Sequence, residues 1–305
     1  MDPRLIQSFR QFQRVVTREV GALQGDFLDR GRPFAASRLL WEIGEGDVEI
    51  AALRSRLGLD SGYASRLLRA LESEGLVEVG PSPVDARARV VRRTAAGDDE
   101  AARLDEASDE ATGVLLSGLD ADDQRALDAA ARTVTHLLTR PHISVEEIDP
   151  ASPEAVWCVQ QYYAELQEMF DAGYDPAKAV AVGVEDLTEP RGAFYAVRLH
   201  GQPIGCGGVT LPPGEPAFLK RMWVAPSARG LGVGAMILDA LEARARESGA
   251  TTVRLDTNST LGPACRMYEA RGYLQVPDFN GEPHADRWYA KGLQRQAPAA
   301  SSSAS

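Results

Sequence analysis

The sequence predicts two domains, a mostly α-helical N-terminal domain with one β-hairpin and a C-terminal α/β domain. Three observations carry this prediction. Helical periodicity dominates the chain up to Arg140-Pro141, where proline breaks the last helix. A strand, a glycine-rich loop and a helix follow one another around residues 217–247, and alternating strand segments flank them. We therefore expect domains at residues 1–140 and 141–295, with a polar, disordered tail at 296–305.

Composition limits the possible functions. The chain has 305 residues, of which 44% are apolar and 25% charged, enough for two buried cores. It shows no run of eighteen apolar residues and no signal pattern at Met1, so we expect a cytoplasmic protein. Three widely spaced cysteines predict neither a disulfide framework nor a metal site. The net charge of −11 argues against indiscriminate nucleic-acid binding by the whole molecule but says nothing about one local face.

The N-terminal domain reads as a series of helices. Apolar residues recur every three or four positions from Leu5 to Leu28, which predicts a long amphipathic helix. Shorter helices are expected at 35–43 and 50–57, and a third at 61–74 with Asp60 or Ser61 as its cap. The inner face of this third helix is formed by Ala64, Leu67, Leu68 and Leu71. Two short helices, a tight connection and a third helix make a helix-turn-helix.

A hairpin and two further helices complete this domain. Segments 76–79 and 90–91 are strand-like and enclose a long polar tip, which makes the hairpin a wing. Helices are expected at 98–116 and 120–138. The run from Asp60 to Gly97 resembles the multiple-antibiotic-resistance-regulator (MarR) family in its recognition helix, in Asp85-Ala-Arg87 and in Thr94-Ala-Ala-Gly97. The resemblance implies a winged helix-turn-helix that binds double-stranded DNA at an inverted repeat.

That family pairs two chains through its first and last helices, here Leu5–Leu28 and Asp120–Leu138, which implies a homodimer. A bundle within one chain is equally compatible with the periodicity. Residues 50–94 hold eight arginines and five acidic residues, a local net charge of +3. The side chains that we expect to contact DNA are Ser61, Tyr63, Ser65, Arg66, Arg69, Arg87 and Arg89. The alternative is an ordinary solvated helix face beside an arginine-rich turn.

The C-terminal domain alternates strands and helices. Strands are expected at 142–145, 194–199, 204–211, 217–224, 251–257 and 287–293, and helices at 153–170, 235–247 and 263–271 with a short one after Pro176. Within Arg229-Gly-Leu-Gly-Val-Gly234, alternating glycines stand at the entrance of a helix whose first N–H groups lack helical partners. Such a turn suits phosphate, although the spacing matches neither the dinucleotide nor the nucleotide-triphosphate motif. An ordinary glycine-rich turn is the alternative.

The stretch from Lys220 to Leu238 resembles motif A of the GCN5-related N-acetyltransferases (GNAT), whose R/Q-x-x-G-x-G/A signature is met by Arg229, Gly232 and Gly234. The family's next segment is matched by Asn258, Leu261, Ala264, Tyr268, Gly272 and Tyr273. The resemblance implies a mixed, mostly antiparallel sheet, acetyl-CoA as cosubstrate and an amine acceptor. It places the cofactor at Met222, Trp223, Val224, Arg229, Gly230, Leu231, Gly232, Val233, Gly234, Ala235 and Asn258. Tyr268 would protonate the leaving thiolate.

The general base is not assigned by the sequence. Many relatives carry glutamate two residues before the matching lysine, where this chain has Phe218. Glu215 and Asp256 lie nearby, and a water relay needs no side chain. Three functions stay open: an enzyme with a DNA-binding domain, a regulator whose second domain only senses a ligand, and an enzyme whose winged helix only dimerises. The aromatic residues in segments that usually flank the acceptor are Tyr162, Tyr163, Phe170, Tyr174 and Trp288.

Overall fold

The computed structural model describes residues 1–44, 46–82, 87–170 and 173–293. These form two compact units, Met1–Ala129 and Ala130 onward, and the chain passes from one to the other inside a helix. The boundary after residue 140 stays a prediction. The predicted tail at 296–305 and Asp85 of the wing motif lie outside the described residues. Within the described ranges, no helix is long and apolar enough to cross a membrane.

The first unit contains the predicted helix-turn-helix and wing. Its elements are α1 (Pro3–Glu19), α2 (Phe34–Ile43), β1 (Val48–Glu49), α3 (Ile50–Leu57), α4 (Ser61–Ser73), β2 (Val77–Pro81), β3 (Arg89–Arg93), α5 (Ala95–Leu116) and the start of α6 (Ala121–Thr139). The strands form an antiparallel sheet in the order β1-β3-β2. Strand β1 was not predicted because two residues are too few to show alternation. Helix α1 ends nine residues before Leu28, since Val20 caps it and Gly21 turns the chain at φ 68°.

Helix α4 is fixed in place by its cap and its inner face. The Asp60 side chain accepts a hydrogen bond from the backbone N–H of Tyr63 at 2.9 Å, as the sequence predicts for an N-cap. The predicted inner face is confirmed, because its four apolar residues are all buried. Its three leucines pack in one core with Leu39, Leu40 and Leu104 from α2 and α5. Burial of each such leucine stabilises the unit by about 2 kcal/mol. The opposite face of α4 is thereby turned to solvent.

A buried carboxylate ties the loop after α1 to helix α5. Glu100 is 4% exposed and accepts hydrogen bonds from the guanidinium groups of Arg30 and Arg32, each 2.5 Å away at its closest. The Arg30 hydrogen bond, assisted by Arg32, lowers the pKa of Glu100 from 4.5 to about 2. A carboxylate whose pKa falls on folding stabilises the fold above its ordinary pKa. That stabilisation is lost as the pH drops from 4.5 towards 2.

We expect Glu100→Gln to destabilise this unit by about 3 kcal/mol at neutral pH, because it leaves two arginines without their charged partner. Hydrogen exchange followed by mass spectrometry on the full-length protein would measure the loss of protection in α2 and α5. Glu106→Gln is the matched control, since Glu106 is an exposed carboxylate on the same helix. Equal protection in the two variants at pH 7 would show that the Glu100 cluster contributes nothing to stability.

Two helices expose apolar surface along much of their length. Neither α1 nor α6 contains a buried residue. The exposed apolar side chains are Leu5, Ile6, Phe12, Val15 and Val16 on α1 and Leu127, Leu137 and Leu138 on α6. Several exposed apolar side chains on one helix of a folded chain commonly mark a protein interface.

The second unit is built on a seven-stranded sheet. After the end of α6 come β4 (Ile143–Glu147), α7 (Pro153–Met169), β5 (Gly192–Leu199), β6 (Gln202–Thr210), β7 (Ala217–Val224), α8 (Val233–Glu247), β8 (Thr252–Thr257), α9 (Gly262–Ala270), β9 (Leu274–Val276) and β10 (Arg287–Gly292). The strand order is β4-β5-β6-β7-β8-β10-β9. Among the described pairs only β7 and β8 run parallel, which confirms the mixed, mostly antiparallel sheet.

Two local predictions for this unit were wrong. The segment after Pro176 forms turns and one short 3-10 helix at Glu185–Leu187 in place of a regular α-helix. Strand β9 was missed because it is three residues long and two of them are exposed. The core is formed where α8 packs on the sheet, with Ile237, Leu238 and Leu241 fully buried. Close packing requires glycine in β6, since a Cβ at Gly207 would lie 2.5 Å from Ile237 Cγ2.

Candidate functional site

The central strands β7 and β8 separate soon after they begin. They pair only at Ala217 with Val253 and at Phe218 with Arg254, within two strands that are described over their full length. From Leu219 onward the edge of β7 that faces β8 has no strand partner. A cleft of about 530 Å³ lies beside it, bordered by α8 and α9. An extended ligand chain in this cleft would find a free strand edge to pair with.

The glycine-rich loop lines the cleft. Gly230 and Gly232 adopt φ values of 82° and 79°, which side-chain-bearing residues rarely adopt. Gly232 is the N-cap of α8, and no side chain caps the helix. The N–H of Met236 is the first to bond back, to the Gly232 carbonyl at 3.1 Å. The N–H groups of Val233 to Ala235 therefore have no partner within the helix and form a site for an anion.

The arginine of the loop is held by a carboxylate from α7. Arg229 pairs with one oxygen of Glu165, and the indole N–H of Trp223 donates to the other oxygen at 3.0 Å. The Arg229 side chain is 52% exposed, so its charge is available at the mouth of the cleft. Sequence reasoning missed Glu165, because nothing in the periodicity of α7 marks one acidic residue as a partner of a loop 64 positions later.

Most of the predicted cofactor residues line this cleft. They are Met222, Trp223, Val224, Arg229, Gly230, Gly232, Val233, Gly234 and Ala235. Leu231 and Asn258 are not among the described residues that line it. The amide of Asn258 donates to the His284 carbonyl at 3.0 Å and accepts from the Thr260 N–H at 3.0 Å, so it ties two loops together. The contact of Asn258 with the cofactor stays a prediction.

Leu231 instead connects the loop to the last turn of α6. His136 Nδ1 lies 2.9 Å from the Leu231 carbonyl, and because a carbonyl only accepts, Nδ1 carries the hydrogen. A Cβ at Gly232 would lie 3.1 Å from His136 Cε1, so the ring packs directly against the loop. The sequence did not predict the contact between His136 and the loop, because a histidine in an amphipathic helix gives no signal of a contact 95 positions away.

Tyr268 lies on α9 and also lines the cleft. It is 6% exposed, and its hydroxyl is 3.7 Å from Met222 Sδ on the separated part of β7. Burial raises the pKa of Tyr268, so its phenol keeps its proton throughout the neutral range. The structure thus places a proton-bearing hydroxyl beside Met222, one of the residues at which the GNAT resemblance places the cofactor.

The geometry distinguishes between the two carboxylates, Glu215 and Asp256, that the sequence offers as a general base. Phe218 packs its ring against Phe279 with centroids 5.5 Å apart, and Glu215 is exposed in a turn away from both cavities. Asp256 instead lines both cavities. Its Oδ1 accepts from Lys220 Nζ at 2.5 Å and from Asn280 Nδ2 at 2.9 Å. Asp256 is thus the better placed of the two carboxylates that the sequence offered.

A second cavity of about 330 Å³ adjoins the cleft. The two cavities share Tyr162, Lys220, Arg221 and Asp256 among their lining residues. Arg221 adopts φ 54°, a strained value for a residue with a side chain, in the bulge where β7 loses register with β6. The bulge lies where the two cavities meet. We call the smaller cavity, lined by Tyr162, Tyr163, Tyr174, Arg221, Glu282 and His284 among others, the acceptor pocket, because it includes aromatic residues that the GNAT resemblance leads us to expect near an acceptor.

The first unit presents a separate polar surface on α4 and the wing. Ser61, Ser65, Arg66 and Arg69 are exposed on α4, and Tyr63 is half-buried. The Arg66 guanidinium lies over the Tyr63 ring, 5.6 Å from its centroid, in a cation–π contact. The predicted wing arginines Arg87 and Arg89 are also exposed. All seven predicted DNA contacts thus reach solvent, while their contact with DNA stays a prediction.

Two protein families match the chain. Residues 153–273 match the acetyltransferase (GNAT) family, and residues 30–88 match the MarR family. The chain is 24% identical over 140 residues to an IAA acetyltransferase of Azospirillum brasilense, which covers 46% of this chain and 89% of that protein. It is 31% identical over 97 residues to an aminoglycoside N(6')-acetyltransferase type 1 of Klebsiella aerogenes, covering 30% of this chain and 64% of that protein.

A solved structure is also similar to part of the chain. A MarR variant from E. coli in complex with operator DNA is 24% identical and covers 44% of this chain and 99% of that chain, with a TM-score of 0.37. Each family match covers less than half of this chain, and the two matches do not overlap. The two segments lie one after the other in the order that the sequence motifs predict.

Proposed function

We propose that this chain, a fusion of a MarR-family regulator segment with a GNAT-family acetyltransferase segment, transfers an acetyl group from acetyl-CoA to an amine and also binds DNA. The observation that supports acetyl transfer is a single cleft lined by an uncapped helix N-terminus, a free strand edge and a buried tyrosine. These three features match the three parts of the ligand: its pyrophosphate, its extended arm and its thioester.

The residues of the cleft fit acetyl-CoA. The N–H groups at the start of α8 and the Arg229 guanidinium would hold the pyrophosphate, with charge-assisted hydrogen bonds of about 1.5–3 kcal/mol each. The free edge of β7 at Met222–Val224 would align the pantetheine arm. When bound, acetyl-CoA supplies an acetyl group activated as a thioester. Because Glu165 already pairs with Arg229, the arginine is oriented before the ligand arrives.

Two side chains are proposed to move protons. Asp256 lies where the cleft meets the acceptor pocket, and we assign it as the group that takes the proton from the attacking amine. Its hydrogen bonds from Lys220 and Asn280 fix the carboxylate in position. Tyr268 donates its hydroxyl proton to the departing sulfur, and its raised pKa ensures that the proton is present.

Thiol release in the presence of acetyl-CoA and a mixture of amines would test the enzyme, while calorimetry would measure cofactor binding separately. Release that depends on an amine supports transfer. Binding without release from any amine would favour the alternative, a regulator that only senses acetyl-CoA. Absence of both in a folded protein would exclude the acetyl-CoA site itself.

We expect Tyr268→Phe to lower kcat at least about tenfold and to leave the Kd for acetyl-CoA within about twofold, because it removes only the proton donor. Steady-state thiol release and calorimetry measure the two quantities. Tyr195→Phe is the matched control, since this tyrosine donates to Glu147 at 3.1 Å outside the cleft. Unchanged kcat in Tyr268→Phe would show that water protonates the thiolate.

For the first unit, we propose that α4 enters the major groove of DNA and that the wing contacts the minor groove. The exposed arginines of α4 and the wing support this role, as does the +3 charge of residues 50–94. We further propose that two chains pair through the exposed apolar faces of α1 and α6. A homodimer would bury these faces and present two α4 helices to an inverted repeat.

A further inference from the structure

Aromatic rings form one wall of the acceptor pocket. Tyr163 stacks on Tyr174 with centroids 5.5 Å apart and an angle of 23° between the rings. Tyr174 continues to His284 at 4.6 Å, and Tyr162 adjoins Tyr163 at 5.5 Å. Phe170 closes the row, 6.1 Å from Tyr174. Such a wall accommodates a flat apolar group, which gains about 0.5–1.5 kcal/mol per ring contact beyond the burial of its area.

The charged groups of the pocket balance one another. Among the residues that the structure describes, its lining holds two cations, Lys220 and Arg221, and two carboxylates, Asp256 and Glu282. Lys220 and Asp256 pair with each other, and Arg221 donates to the Val182 carbonyl at 2.6 Å. A ligand with several positive charges would need several carboxylates to replace its water, and the described lining of this pocket offers two carboxylates against two cations.

Both carboxylates are also engaged by the protein. Glu282 is 7% exposed and accepts from the backbone N–H of Val180 at 2.7 Å and of His284 at 3.2 Å. Asp256 accepts from Lys220 and Asn280. Glu282 therefore holds together two loops of the pocket wall, and only Asp256 also borders the cofactor cleft. One amine nitrogen beside Asp256 is the arrangement that this charge pattern favours.

The pocket is also small. Its volume of about 330 Å³ lies near the lower end of the range of about 300–1,000 Å³ that is typical of ligand sites. The aromatic wall and the shared junction with the cleft are both part of this one cavity. A ligand that fills it presents a ring to the wall and an amine to the junction, so the two groups are joined by a short linker.

We infer that the acetyl acceptor is an arylalkylamine, a single primary amine joined by a short chain to an aromatic ring that lies against Tyr174. This inference rests on the proposed acetyl transfer. The inferred acceptor carries one positive charge and so differs from polycationic acceptors such as aminoglycosides and polyamines, on which other acetyltransferases act.

Thiol-release kinetics with four acceptors test the inference: phenethylamine, butylamine, spermidine and kanamycin. We expect kcat/KM for phenethylamine to exceed that for butylamine by about tenfold or more and those for the two polycations by about 100-fold. Tyr174→Leu should reduce the ratio of phenethylamine to butylamine by about fivefold or more while the Kd for acetyl-CoA stays constant. Phe279→Leu is the matched control, because Phe279 packs on Phe218 and does not line the pocket.

Calorimetry with phenethylamine and the CoA-saturated protein tests the arylalkylamine inference independently of the proposed acetyl transfer. Phenethylamine binding that Tyr174→Leu weakens, without thiol release from any amine, would support the pocket assignment and overturn the acetyl transfer. Faster transfer to spermidine or kanamycin would overturn the arylalkylamine inference and leave the transferase intact. The same inference fails if phenethylamine neither binds nor reacts, or if Tyr174→Leu leaves the ratio unchanged.

Discussion

Gly232→Glu is expected to weaken acetyl-CoA binding at least about 100-fold, equivalent to about 2.7 kcal/mol. Glutamate would place a negative charge beside the uncapped N–H groups at the start of α8, which are proposed to hold the pyrophosphate. The substitution also forces a side chain onto a residue at φ 79° and brings its Cβ to 3.1 Å from His136. Titration calorimetry of the full-length protein with acetyl-CoA measures the loss.

Gly249→Glu is the matched control. Gly249 adopts φ 86° just after α8, but a Cβ there meets nothing within 4 Å. The two variants therefore share the backbone strain, and only one carries its charge into the cleft. A similar loss of affinity in both would attribute the effect to general destabilisation. Affinity within about threefold of wild type in Gly232→Glu would show that the glycine loop does not hold the pyrophosphate.

Local chemistry explains which parts of the site could be predicted. Strand β7 was predicted at 217–224, and the structure gives Ala217–Val224, because alternation and the following proline are both signals within a few residues. Gly230 and Gly232 have the positive φ values that their residue type suggests. The inner face of α4 follows from helical periodicity alone. Where a residue's own neighbours in the chain determine its conformation, the sequence was sufficient.

Contacts between segments that are distant in the chain could not be predicted from the sequence. The pairing of Glu165 with Arg229 and of His136 with Leu231 joins segments 64 and 95 positions apart, and no spacing rule connects them. The separation of β7 from β8, which creates the cleft, depends on the packing of the entire sheet. Chain direction and register are tertiary properties, so periodicity predicts that the strands exist but not where they part.

The acceptor pocket could be predicted in part from the sequence. Four of the five aromatic residues expected near the acceptor line it: Tyr162, Tyr163, Phe170 and Tyr174. The fifth, Trp288, is not among its described lining residues, and its indole donates to Asn280 at 2.8 Å. His284 was not foreseen, because it reaches the pocket from the loop before β10. Position along the chain therefore indicated the region of the pocket, and the fold determined its members.

The affinity of the proposed dimer for its DNA site is expected to fall about 10³-fold between about 50 and 200 mM salt, if each complex neutralises about six phosphates. Two α4 helices in successive major grooves would require an inverted repeat with half-sites about 10 base pairs apart.

Arg66→Ala should weaken binding to the specific site by about tenfold or more and binding to random DNA much less, because Arg66 lies on the exposed face of α4. Arg89→Ala, at the wing, should weaken both alike.

Arg125→Ala is the matched control for these arginines. Its side chain is 72% exposed on α6, outside the α4 and wing surface, so its loss should leave both affinities within about twofold. The promoter of the protein's own gene is the first sequence to survey, by footprinting and gel shift at low salt. Sedimentation would establish whether two chains pair, because an inverted repeat is read by two α4 helices, one from each chain. A protein that sediments as a dimer yet prefers no genomic fragment at micromolar concentration would show that the winged helix serves pairing alone, and acetyl transfer would then be the whole function.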